Sequence, residues 1–118
     1  MFRWYVVNTY SGHENKVKAN LEHRIESMGQ RPRFRRVVVP TEQVIETKDG
    51  QKVQTEKRVL PGSVLVYMDM SDEAWTVVKG TPGVFLVDRA GTIVYKRISG
   101  DAPETVETAL REKLSLPQ

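Results

Sequence analysis

The sequence predicts an α/β (α+β) fold, a single domain over residues 1–118. We expect a mixed, mostly antiparallel sheet of about five strands, with three helices mainly on one face and a projecting β-ribbon. Two observations predict this class. Short β-branched and aromatic segments alternate with segments whose apolar residues recur every three or four positions, as in strands and amphipathic helices. Their order up to residue 88 is strand, helix, strand, ribbon, strand, helix, strand, which is that of a split β-α-β unit.

The first strand and helix are read from residues 4–29. WYVVNTY is a short β-branched and aromatic run that ends at Ser11-Gly12. Ser11 and Glu14 match a capping box, in which each side chain accepts the other residue's backbone N–H. Gly29 stands where a left-handed C-cap favours glycine. Between them lies one apolar helical stripe: Val17, Leu21, Ile25 and Met28.

A projecting ribbon is predicted at residues 43–58, after a strand in RFRRVVVP. Asp49-Gly50 is a strong two-residue hairpin signal, and its flanks Gln43–Lys48 and Lys52–Arg58 supply the two arms. Pro61-Gly62 predicts a turn before the strand SVLVYMDM. Ser71 then caps a short helix, DEAWTVVKG, in which we expect Trp75 and Val78 to pack inward.

The last part of the chain predicts a hairpin followed by a helix. VFLVD and TIVYKRI are the strands, and DAPETVETALREKL is the helix. Asp101 and Glu104 fit its N-terminal cap, and Pro103 fits its first turn. Its apolar stripe is expected to cover the sheet, and consists of Val106, Leu110 and Leu114.

Composition excludes several classes of function. The chain has no cysteine, which excludes disulfides, thiolate zinc sites and dithiol redox chemistry. His13 and His23 are too far apart in sequence for a metal pair and are expected on the surface. No phosphate-binding, dinucleotide or nucleophile-elbow motif occurs, so we expect neither an enzyme nor a cofactor. Without a membrane-length apolar run or a signal peptide, the chain is expected in the cytoplasm.

Two groups of side chains are candidates for binding. The net charge is +3, and four arginines fall close together: Arg31, Arg33, Arg35 and Arg36. They form either a solvated strand entrance or a patch that contacts nucleic-acid phosphates. Trp4, Trp75 and Phe85 are expected in the core, whereas Tyr10, at the end of the first strand, suits either core or surface.

Residues 1–83 resemble the N-terminal (NGN) domain of the NusG transcription elongation and antitermination factors. The matching stretches are WYVVNTYSGHENKVKANLE, VVVPTEQV, LPGSVLVYMDM and DEAWTVVKGTPGV. The resemblance implies an apolar face that binds the clamp helices of RNA polymerase, close to the upstream DNA. It places five residues on or beside that face: Asn8, Tyr10, Leu60, Pro61 and Ser63. Family members usually have Phe and Tyr where this chain has Leu60 and Ser63, which predicts a smaller aromatic contact.

The last portion, residues 84–118, resembles instead the ββα ending of thioredoxin-like proteins of the TlpA type, and the resemblance itself extends over residues 81–118. The resemblance rests on Thr81-Pro82, VFLVD, the Gly91-Thr92-Ile93 step and the last helix. It predicts a hybrid joined near residues 79–84, engineered or recombined, with weakened or no native activity. The alternatives are a natural divergent NGN-domain protein and a cysteine-less thioredoxin-like binding protein. Oligomeric state stays open.

Overall fold

The structure is a computed structural model that describes residues 1–95 and 103–113. It contains strands and α-helices in an order close to the prediction, with short 3-10 turns at Arg31–Arg33 and Ala90–Thr92. The elements are β1 (Phe2–Asn8), α1 (Glu14–Ser27), β2 (Phe34–Val38), β3 (Thr41–Lys48), β4 (Gln51–Arg58), β5 (Ser63–Asp69), α2 (Asp72–Lys79), β6 (Leu86–Arg89), β7 (Val94–Tyr95), β8 (Glu104–Thr105) and α3 (Val106–Lys113).

The central sheet has four strands in the order β2-β5-β1-β6. Every neighbouring pair is antiparallel, and in the register Val7 of β1 lies opposite Val64 of β5 and Val87 of β6. Strands β3 and β4 form the separate ribbon, and β7 pairs with β8 in the described part of the chain. The predicted α+β class and the split β-α-β plan are confirmed.

The two faces of the sheet are covered by different helices. On one face α1 and α2 bury a cluster that includes Val7, Leu21 and Val66. On the other face α3 packs Val106 and Leu110 against a cluster that includes Trp4, Val6 and Leu65. The expectation that the last helix covers the sheet is confirmed for Val106 and Leu110. Leu114 lies outside the described residues.

The two ends of α1 differ in how well the sequence predicted them. Gly29 has φ +66°, and the N–H groups of Gly29 and Gln30 donate to the carbonyls of Glu26 (3.1 Å) and Ile25 (2.9 Å), which closes a Schellman motif. The predicted C-cap is therefore confirmed. Met28 lies beyond the last helical residue and is exposed, so its place in the apolar stripe was wrong.

The predicted capping box at the start of α1 was wrong in part. His13 is the N-cap residue and no side chain caps the helix. The Glu14 carboxylate does turn back, but it accepts the N–H of Gly12 and also reaches the N–H of Gly62.

Two other local predictions are confirmed. Asp49 and Gly50 both have positive φ, +52° and +78°, as a primed two-residue turn between β3 and β4 requires. At the start of α2 the Ser71 hydroxyl accepts the N–H of Ala74 at 3.1 Å.

The last described segment departs from the prediction in two places. The described residues of VFLVD and TIVYKRI do not form the predicted hairpin, because β6 pairs with β1 and β7 pairs with β8. The start of the helix differs as well. Glu104 and Thr105 lie in β8, so Glu104 precedes the helix instead of lying in its first turn, and Pro103 precedes a strand. The Thr105 hydroxyl accepts the N–H of Thr108 at 3.2 Å instead. Residues 96–102 lie outside the described residues. They include the end of the predicted strand and the predicted cap residue Asp101.

The predicted aromatic core was correct only at Trp4, which is buried. Trp75 and Phe85 are both exposed, so placing them in the core was wrong. Trp75 lies on the outer side of α2, whose buried residues are Ala74, Val77 and Val78. Phe85 precedes β6, which among the described residues pairs with β1 alone and so lies at the edge of the sheet.

Candidate partner-binding surface

The turn between β4 and β5 is fixed by backbone geometry. The Ser63 N–H donates to the Leu60 carbonyl at 3.1 Å, and Gly62 between them has φ +80°. A Cβ at Gly62 would lie 3.0 Å from the Thr9 carbonyl oxygen. The turn therefore needs glycine both for its conformation and for its close approach to the end of β1.

Glu14 holds this turn through a fully buried carboxylate. Its Oε2 accepts the Gly62 N–H at 2.9 Å, and its Oε1 accepts the Gly12 N–H at 2.8 Å. The Arg58 Nε lies 3.4 Å from Oε1. Burial alone would raise the pKa of Glu14, but the backbone N–H groups and the Arg58 charge outweigh it and hold the pKa below its ordinary value. The carboxylate is therefore charged at neutral pH.

The structure brings Asn8 and Ser63 together. They are cross-strand partners in β1 and β5, and the Ser63 hydroxyl donates to Asn8 Oδ1 at 3.5 Å. Asn8 also pairs with Leu86 of β6, so Ser63, Asn8 and Leu86 form one row across the sheet on the same face. Leu86 is 55% exposed.

Tyr10 lies just beyond this row, on the surface of the protein and not in its core. Its side chain is 64% exposed, and its ring makes an edge-to-face contact with the 56% exposed ring of Phe85, with centroids 4.4 Å apart. The Phe85 N–H donates to the Asn8 carbonyl at 2.9 Å, which ties Phe85 to the end of β1.

We call the surface at this end of the sheet the β1-end surface. It consists of Asn8, Tyr10, Pro61, Ser63, Phe85 and Leu86. Leu60 is set back from it, half-buried against the cluster that α3 covers. Sequence reasoning missed Phe85 and Leu86, because the apolar run VFLVD is typical of a buried strand. The only available signal was that β6 would be an edge strand, open on one side.

The four arginines have different surroundings. Arg31 lies 3.9 Å from a Glu26 carboxylate oxygen, and Arg33 lies 3.4 Å from an Asp69 carboxylate oxygen. Arg35 lies over the Phe2 ring, 4.0 Å from its centroid. Arg36 is exposed and has no carboxylate partner among the described residues.

Arg35 and Arg36 instead line a cleft of about 670 Å³ beside the ribbon. Lys18 of α1 and Arg58 of β4 line it too, and Glu56 is the acidic residue in its lining. The Glu14 carboxylate partly neutralises the charge of Arg58. The cleft is therefore positively charged.

Other kinds of site find little support in residues 1–95 and 103–113. No group of three or more acidic or histidine side chains is arranged to hold a metal ion within those ranges. His13 and His23 are both exposed, as predicted. Over the same ranges no helix has the length and apolar character needed to cross a membrane.

Comparison with known proteins decides the family. The sequence profile described as transcription termination factor nusG matches residues 2–112. The chain belongs to the NusG family. Members of this family are transcription factors and not enzymes.

Relatives and a solved structure agree with this placement. The NusG transcription termination/antitermination protein of Bacillus subtilis is 58% identical over 81 residues, 69% of this chain and 46% of that protein. The NusG protein of Halalkalibacterium halodurans is 48% identical over 110 residues, 92% of this chain and 61% of that protein. A structure of Thermotoga maritima NusG superimposes with a TM-score of 0.64 and 32% identity, covering 98% of this chain and 57% of that one. The chain thus spans about half the length of its NusG relatives.

These matches correct the hybrid interpretation. The NusG profile and the Halalkalibacterium relative both continue well past residues 79–84, where we expected a junction. The comparisons give no support to a thioredoxin-like segment, to an engineered origin or to weakened activity. The Thr81–Pro82 peptide bond, whose isomer the sequence leaves open, is trans.

Proposed function

We propose that this chain is the polymerase-binding NGN module of a NusG-type transcription elongation and antitermination factor, acting in the cytoplasm. Its β1-end surface docks on RNA polymerase, at the clamp helices. Membership of the NusG family supports the class of function. The observation that carries the location is the exposed Tyr10–Phe85 pair, held by backbone bonds at the end of β1.

Exposed aromatic side chains at fixed positions are the usual anchors of protein interfaces. An aromatic side chain buries roughly 150–250 Å² when it is covered, and a few such residues carry most of the binding energy. Tyr10 and Phe85 support each other edge to face, so a partner meets a firm apolar surface. Leu86 extends that surface along β6. This surface offers aromatic area that Leu60 and Ser63 do not provide.

Affinity for purified RNA polymerase tests the proposal. We expect the wild-type chain to bind and Tyr10→Ala to bind at least about thirtyfold more weakly, since truncating an aromatic anchor costs about 2 kcal/mol or more. Trp75→Ala is the matched control. It also removes an exposed aromatic ring, from α2. That helix follows Asp69, which pairs with Phe2 at the opposite end of β1.

The control should bind like the wild type. Equal losses in Tyr10→Ala and Trp75→Ala would locate the contact elsewhere, and a wild-type chain that does not bind would refute the function.

A second candidate function, contact with nucleic-acid phosphates, is favoured by the positively charged cleft. We propose that Arg36, together with Lys18 and Arg35, contacts the DNA backbone beside the polymerase. Arg31 and Arg33, both ion-paired, take no part. Each phosphate contact adds about 0.9 to the slope of log affinity against log salt.

Binding of duplex DNA at several salt concentrations tests this second function. Arg36→Gln should weaken binding and lower the salt slope by about 1. Arg31→Gln changes the net charge equally but lies outside the cleft lining, so it is the control. Identical slopes for the two variants would show that the cleft is not the DNA-binding site.

A further inference from the structure

Glu14 is the one buried charged residue among the side chains that the structure describes. We infer that it is a positioning residue, which presets the Leu60–Ser63 turn so that the β1-end surface is formed before the partner arrives. This inference rests on the proposed function.

Three separate segments meet at the Glu14 carboxylate. Gly12 belongs to the loop that follows Tyr10, Gly62 belongs to the turn, and Arg58 ends the ribbon strand β4. Glu14 itself is the first residue of α1, which is anchored in the core through Val17. The carboxylate therefore fixes the two loops of the surface relative to a rigid helix.

The turn is held from its other side as well. The Gly62 carbonyl accepts the Thr9 N–H at 2.8 Å, while the Gly62 N–H donates to Glu14 Oε2 at 2.9 Å. Both polar groups of Gly62 are thus paired with other segments, so rotating the turn would break both bonds. A surface loop that is already ordered loses less conformational entropy on binding, which increases affinity.

The chemistry of the contacts specifies a carboxylate at this position. All three partners of Glu14 are donors: two backbone N–H groups on different oxygens and a guanidinium. Glutamine has the same shape, but its amide NH₂ would face one of the donors and leave that N–H unpaired. An unpaired buried donor is costly, so the turn would open.

Glu14→Gln tests the inference, with Glu22→Gln as the control. Glu22 lies on the same helix and is exposed, so its substitution makes the same charge change without touching the turn. Two quantities are measured where all proteins are fully folded: amide hydrogen exchange by NMR and affinity for RNA polymerase. Exchange at Gly62 reports on the turn, and exchange at Val66 in the centre of β5 reports on global opening.

In Glu14→Gln we expect Gly62 exchange to accelerate at least tenfold more than Val66 exchange, and polymerase affinity to fall about tenfold. Glu22→Gln should change neither. A merely structural Glu14 would accelerate both amides equally and leave the affinity of the folded protein unchanged, which would overturn the inference.

The outcome for the wild-type chain separates this inference from the proposed function. If the wild-type chain binds polymerase and Glu14→Gln binds equally well, only the positioning role is refuted. If the wild-type chain does not bind polymerase at all, the proposed function and the positioning role are both refuted.

Discussion

Gly62 combines a backbone requirement with a packing requirement, and the two can be separated by experiment. Its φ of +80° disfavours any side chain, and an added Cβ would lie 3.0 Å from the Thr9 carbonyl oxygen. Gly50, in the ribbon turn, has a similar φ of +78° but nothing within 4 Å of an added Cβ. Gly50→Ala should therefore lower the free energy of unfolding by about 1 kcal/mol, and Gly62→Ala by at least about 2 kcal/mol.

Urea unfolding of both variants measures this difference. Equal losses would mean that the end of β1 shifts freely to admit a methyl group, and that the turn is not held as described.

Single residues were predictable where their partner is close in sequence. Gly29 and Ser71 act within their own helices, and the sequence predicted both roles. Glu14 was predicted to cap α1, but its decisive partner, Gly62, is 48 residues away. A long-range hydrogen bond of this kind leaves no local pattern, so the sequence could not indicate it.

Helix α3 covers the second face of the sheet, which would otherwise be exposed to solvent. Leu110 is buried there with Trp4 and Leu65. Leu110→Ala should lower the free energy of unfolding by about 2–4 kcal/mol, through lost apolar burial and the cavity left behind. Val94→Ala is the control, since Val94 is exposed and its truncation should change stability by less than about 0.5 kcal/mol.

Chemical unfolding followed by tryptophan fluorescence suits this test, because Trp4 lies in the same cluster. A Leu110→Ala protein as stable as the wild type would show that α3 does not contribute to the core.

Helices and the ribbon were easier to predict than the edge strand. The stripe of α1 and the Asp49-Gly50 turn are strong periodic and local signals. The segment VFLVD reads as a buried strand because residues 84–87 are all apolar, yet among the described residues β6 pairs with β1 alone. Whether an edge strand is covered depends on the tertiary arrangement. Phe85 was therefore wrongly placed in the core, and Leu86 was not predicted as a site residue, although both belong to the β1-end surface.

At the scale of the whole molecule, the long ordered resemblance to the NGN domain predicted the family and the fold. The likeness to a thioredoxin ending rested on a few short sequence matches. It predicted a junction near residues 79–84 that the comparisons do not support. We propose that the chain is one domain, since α3 and β1 share the cluster around Trp4.

Site-specific photo-crosslinking to RNA polymerase tests the central claim most directly. A photo-activatable phenylalanine analogue is incorporated at position 10, 85 or 75 of the chain, one position at a time. Our account predicts crosslinks to the polymerase from positions 10 and 85, which lie on the β1-end surface, and none from position 75 on α2. Crosslinks from position 75 with none from positions 10 and 85 would contradict it.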